Sequence, residues 1–150
     1  AGSYGKDTRG ILRVHQFDKI EILSFVKPAD SEKEHLFLLS LQEKLMQALE
    51  LPYRVVANST GDFDPTAARQ YDIETWLPGQ NTYRETHSCS NTTDFQARGI
   101  NCKYEKGGFV HLLNATAISI QRMVIAIIEN YQTKDGDFKI PTILEKYFLA

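Results

Sequence analysis

The sequence predicts an α+β domain on three observations. A strand-like stretch from residue 11 runs into one long amphipathic helix, and the chain continues as short strands joined by turn-rich loops before closing on helical segments. At 150 residues it has the size of one domain burying roughly two thirds of its unfolded surface. With 42% hydrophobic and 24% charged residues, whole-chain disorder is excluded. A formal charge of -2 excludes an overall basic field of the kind that coats nucleic acid, leaving room only for a local basic patch.

Residues 11–26 read as strand. Odd positions carry Arg13, His15, Phe17, Lys19 and Glu21, while even ones include Val14, Ile20 and Ile22. Side chains alternate in a strand, so one face gathers ionisable groups around a single ring and the other meets the core. The plain alternative is a solvated face of an antiparallel sheet.

Residues 31–50 read as a helix, with Ser31 and Glu34 in capping-box spacing and Leu38, Leu41, Leu45 and Leu49 at helical intervals. Pro52 ends it. A strand follows at 53–57, then turn residues over 58–65, then strands at 70–77 and 83–89 around Pro78, Gly79 and Asn81, which suit a hairpin loop. A polar segment with Asp94 and Gln96 leads into 100–104, and Lys106, Gly107 and Gly108 make another turn. Residues 109–113 read as strand. Ile120, Met123, Val124, Ile127 and Tyr131 form the apolar stripe of the next helix. Asp135, Gly136 and Asp137 turn the chain, and Pro141 opens a short C-terminal helix.

Cys89 and Cys102 show no CxxC pattern, and the four histidines lack zinc spacing, so a disulfide framework and a metal knuckle are both disfavoured. The longest apolar run, at 123–128, is far short of the roughly 18 residues of a membrane span, and no signal-like stretch opens the chain. The expectation is a soluble intracellular protein. Three N-x-[ST] sequons at Asn58, Asn91 and Asn114 then read as coincidence. The opening Gly2 to Thr8 lacks the spacing of a P-loop. A loop-like start at Ala1 suggests that upstream sequence is missing.

Three blocks, KDTRGILRVHQFDKIEI, YRETHSCSNTTDFQARGIN and LLNATAISIQR, with IPTILEKYF at the end, resemble in order and spacing the C-terminal part of seryl-tRNA synthetases of the bacterial and organellar type. The resemblance covers the whole chain. It implies the class II aminoacyl-tRNA synthetase fold, an antiparallel sheet flanked by helices, present here in part with the second and third class signatures. The family's coiled-coil arm, first signature, F-R-x-E strand and Thr-x-Glu element are absent from the sequence.

By this likeness Arg13 contacts ATP phosphate, Phe17 stacks on adenine and Glu21 faces the ammonium of serine. The side chains suit those roles: a guanidinium forks onto phosphate oxygens, a ring stacks on a base, and a carboxylate balances an ammonium. Lys6 and Arg9, among Gly2, Gly5 and Gly10, correspond to the loop that faces tRNA. Glu85 and Ser88 correspond to residues lining the ATP site, and both are implied on the Mg²⁺ side. Asn114 and Thr116 fall where the family contacts serine, with Ala115 replacing a more usual glycine. Arg122 falls where the γ-phosphate is held, and its predicted place in a first helical turn favours an anion independently. His87 beside Cys89 could suggest a nucleophilic pair, but the implied chemistry needs no enzyme nucleophile, and a small buried Cys89 is the better reading.

The implied activity is ATP-dependent activation of serine and its transfer to tRNA(Ser), with tRNA(Sec) as a further acceptor. The resemblance further implies that Mg²⁺ assists and that the full-length protein is a homodimer in the cytoplasm or, for an organellar form, the mitochondrion. The chain by itself is expected to be an inactive fragment. Two other classes stay open: a synthetase-like ligase charging a carrier protein, and a silent paralogue serving as an interaction or RNA-binding module.

Overall fold

The computed structural model describes residues 10–62, 64–105 and 107–148. Five strands form one antiparallel sheet: β1 (Lys19–Val26), β2 (Tyr53–Ala57), β3 (Arg69–Leu77), β4 (Thr82–Asn91) and β5 (His111–Ser119), in the spatial order β1-β5-β4-β3-β2. The helices are α1 (Ser31–Ala48), α2 (Phe95–Gly99), α3 (Ile120–Asn130) and α4 (Thr142–Glu145).

The core lies on one face of the sheet, beneath α1 and α3. Tyr71, Ile73 and Leu77 of β3, Cys89 of β4, and Leu113 and Ala115 of β5 are buried there with Leu38, Leu39 and Met46 of α1 and Met123 and Ala126 of α3. Tyr131 just past α3 donates its hydroxyl to the Leu49 carbonyl at 2.7 Å, tying the ends of the two helices together. The alternate residues of the strands form the other face. There α2 covers one end through Ala97, Val110 and Leu112, and among the described residues no other helix lies on that face.

Several expectations are corrected. Residues 11–18 are turns and bends, and β1 begins only at Lys19. Lys19 pairs with Ser119, the last residue of β5, and there the chain turns into α3, so among the described residues 11–18 have no strand to pair with. Leu12 instead sinks into the core at 3% exposure. The capping box does not form. Ser31 already lies inside the helix behind a 3-10 turn at Pro28–Asp30; its hydroxyl accepts from Asn91 Nδ2 at 2.8 Å, while Glu34 accepts from the Ser24 hydroxyl at 2.6 Å. Both side chains anchor α1 to strands.

The buried stripe of α1 runs through His35, Leu38, Leu39, Gln42 and Met46, with Leu41 and Leu45 at its flank. In α3, Met123 and Ala126 are buried, while Ile120 and Val124 are exposed. The short helix α2 replaces part of an expected polar link, and β5 extends six residues beyond the predicted 113 to Ser119. Pro141 is the N-cap of α4, immediately outside it.

Candidate functional site

Two bulges build the site face. In the β1/β5 pairing Ile20 faces Ile118 but Glu21 faces Thr116, leaving Ala117 as an extra residue. In the β3/β4 pairing Ile73 faces His87 but Glu74 faces Glu85, leaving Thr86 extra. A bulge shifts strand parity by one. Residues three apart, Thr116 with Ser119 and Glu85 with Ser88, therefore share the open face, where regular strands would place them on opposite sides.

These four residues line a cleft of about 280 Å³ with Leu12, Arg13, Val14, Phe17, Lys19, Thr86, Gln121 and Arg122. Every residue implied for ATP is present: Arg13 and Phe17 from the segment before β1, Glu85 and Ser88 from β4, and Arg122 from the first turn of α3. Phe17 is 48% exposed, a ring with an open face rather than a core aromatic. Arg122 Nη1 donates to the Glu85 carbonyl at 2.8 Å and lies 3.4 Å from Oε1 of its carboxylate, while its Nε is buried without a partner among the described residues. Burial holds the Glu85 carboxyl above the usual carboxylate range, and the Arg122 cation offsets only part of that rise.

A second cleft of about 310 Å³ lies next to it, lined by Lys19, Glu21, Leu23, Asp64, Thr66, Ser90, Gln96 and Asn114. Glu21 and Asn114, both implied for serine, thus sit in the second cleft, whereas Thr116 lines the first. Lys19 borders both, and its ammonium is 2.8 Å from Oε2 of Glu21. Lys6 and Arg9 lie outside the described residues.

Sequence reasoning left out Ser119 and Gln121 as lining residues and gave Lys19 no role. A Ser directly before a helical stripe is an N-cap signal, and Ser119 holds that place, its Oγ 3.0 Å from Gln121 Oε1.

His87 and Cys89 point the other way. Cys89 is fully buried in the core, and His87 is 1% exposed beside Ile73 in the ladder. Burial pushes the Cys89 thiol up to about 12 and the His87 imidazole down to about 4, leaving both neutral near pH 7. Neither is equipped to act as a nucleophilic pair toward the cleft.

The donor set suits Mg²⁺. A carboxylate from Glu85 and a hydroxyl from Ser88 are hard oxygen ligands on one face of β4. Among the described residues no group of three or more His, Cys, Asp or Glu could hold a metal ion, so such an ion would take the rest of its shell from water and phosphate.

A family model, the tRNA synthetase class II core domain (G, H, P, S and T), matches residues 3–131. The chain belongs to the class II tRNA synthetase core family. Within it, a serine--tRNA ligase from Sulfurihydrogenibium sp. is 53% identical over 98% of this chain and 36% of that relative. A solved seryl-tRNA synthetase from Pyrococcus horikoshii complexed with ATP superposes with a TM-score of 0.90 at 46% identity, covering 97% of this chain and 34% of that one. A cytoplasmic serine-tRNA ligase from Naegleria fowleri in complex with AMP gives 0.89 at 42% identity, covering 95% and 35%. This class II core thus spans about a third of the length of the relatives it matches.

Proposed function

We propose that the chain is the C-terminal portion of the catalytic domain of a serine-tRNA ligase, carrying most of its ATP site and part of its serine site. The observation that carries the reading is a convergence. Three segments far apart in sequence bring Arg13, Phe17, Glu85, Ser88 and Arg122 to one cleft, and Lys19 joins it to a second cleft holding Glu21 and Asn114. The likeness to relatives solved with ATP and with AMP supports a nucleotide in the first cleft.

In the first half-reaction a serine carboxylate oxygen attacks the α-phosphorus of ATP and pyrophosphate leaves. In the second, the terminal ribose hydroxyl of tRNA(Ser), or of tRNA(Sec), attacks the acyl carbon and AMP leaves. The protein contributes positioning and charge neutralisation. Phe17 stacks on adenine, Arg13 and Arg122 grip phosphates, and Glu21 takes the substrate ammonium. Asn114 and Thr116 offer hydrogen bonds on the serine side, and such bonds penalise an analogue that lacks the hydroxyl. Mg²⁺, when bound at Glu85 and Ser88, supplies charge neutralisation of the phosphates. Lys6 and Arg9 would meet the tRNA backbone, and the longer parent would act as a homodimer in the cytoplasm or mitochondrion.

The test is ATP–pyrophosphate exchange on the longer parent, with serine, threonine, alanine and glycine compared. Exchange driven by serine alone and abolished by Arg122→Ala is expected. Absence of exchange with every amino acid in a folded sample would turn the assignment toward a silent paralogue. Activation of serine with transfer to a carrier protein instead of tRNA would turn it toward the carrier ligase.

A further inference from the structure

The β4/β5 ladder is short. It pairs Cys89 with Ala115, Ser90 with Asn114 and Asn91 with Leu113, and then stops. The next residues on the two strands are Ser88 and Thr116, both lining the first cleft. Their carbonyls do not go without donors: Gln42 of α1 reaches up from the core side, and its Nε2 donates to the Ser88 carbonyl and to the Thr116 carbonyl, each at 2.8 Å. Gln42 is 0% exposed. A side-chain amide nitrogen carries two hydrogens, and both are used. The orientation is fixed, because the amide oxygen turned toward two carbonyls would repel them, and that oxygen is buried without a partner among the described residues.

Strands that separate to open a cleft leave main-chain oxygens that must still be satisfied. Gln42 does this at the point of separation, beside both bulges. It accepts an unmet oxygen of its own, an expense that simple packing of α1 on the sheet would not require.

We propose that Gln42 is a positioning residue for adenylation: it holds β4 and β5 apart at Ser88 and Thr116, and so sets the spacing of the cleft walls. This rests on the ligase reading above. Gln42 touches no substrate, and its effect passes through the two strand carbonyls.

The experiment compares Gln42→Met, which keeps the shape and removes both donors, and Gln42→Glu, in the longer parent. For Gln42→Met the turnover of serine-dependent exchange should fall about tenfold, with the KM for ATP changed less than about threefold and the melting temperature shifted by only a few degrees. Gln42→Glu should recover relative turnover as pH falls from about 8 to about 6, because a protonated carboxyl can donate once. In both variants amide hydrogen exchange over residues 86–90 and 115–119 should quicken. Unchanged turnover in Gln42→Met, or unchanged amide exchange at the fork, overturns the proposal. A parent with no serine-dependent exchange sinks the ligase reading instead, and the amide exchange then still decides whether Gln42 holds the fork.

Discussion

Arg122 Nη1 donates to the main-chain oxygen of Glu85 at 2.8 Å and also stands 3.4 Å from its carboxylate, so one β4 residue orients the cation by two unlike acceptors. The main-chain bond sets the guanidinium's place without neutralising it, and the buried Nε keeps a donor in hand. Arg122→Ala should cost at least about a hundredfold in serine-dependent exchange, the scale of losing a charge-stabilising donor, and Arg122→Lys should recover only part of it. Because Arg122 lowers a Glu85 carboxyl that burial raises, its removal should move the Glu85 titration to higher pH. Carbon-detected NMR of the Glu85 carboxyl checks that direction, and an Arg122→Ala protein exchanging at the parent rate would remove Arg122 from the phosphate site.

His87 makes the fold sensitive to acid. Burial lowers its imidazole from 6.5 to about 4, so between those values the unfolded chain binds a proton that the folded chain refuses. Stability from this residue is therefore complete above about pH 6.5 and is lost as pH falls toward 4, a swing on the order of 3 kcal/mol. Urea denaturation of the parent and of His87→Gln at several pH values measures it. The difference in slope should appear in that window; parallel curves would mean that His87 titrates normally when folded.

Much of this arrangement was legible in the sequence where the local signal and the global fold agreed. Strand β2 falls at its predicted limits because Pro52 and the turn residues after Ala57 mark both ends, and Arg122 lies in a first helical turn as the apolar stripe of α3 requires. Alternation failed ahead of Lys19, where ladder partners run out, a condition set by another strand. It also could not explain why Glu85 and Ser88 share a face, since the bulge at Thr86 is a property of pairing. The face of α1 was displaced toward Leu41 and Leu45 because two of its buried residues, His35 and Gln42, are polar and serve strand carbonyls. The end of β5 was hidden by Asn114, Ala115 and Ala117, which are poor strand formers held there by their neighbours.

Lys19 occupies the carboxylate that serine's ammonium is proposed to use, at 2.8 Å from Glu21 Oε2. Lys19 is the more exposed partner and Glu21 Oε2 is itself buried, so a substrate ammonium that takes the lysine's place keeps that oxygen paired. Glu21→Gln should raise the KM for serine by roughly tenfold or more and leave the KM for ATP nearly unchanged, since the uncharged amide loses the counter-charge. Lys19→Met should lower the serine KM slightly if the lysine only competes. Substrate-saturation curves for the two substrates separate these effects, and equal changes in both KM values would place Glu21 outside the serine side.

Phe17 is the residue whose role and burial can be separated most cleanly. At 48% exposure the ring contributes little to the core, so Phe17→Ala should leave the melting temperature within a few degrees of the parent. Stacking on a base is worth about 1–3 kcal/mol, so the same change should weaken ATP binding by roughly five- to 150-fold, and Phe17→Trp should retain most of it. Calorimetric titration with ATP, and with a triphosphate carrying no base, distinguishes the ring's contribution from that of Arg13 and Arg122. If Phe17→Ala weakens both ligands equally, the ring supports the phosphate side of the cleft, and the adenine lies elsewhere.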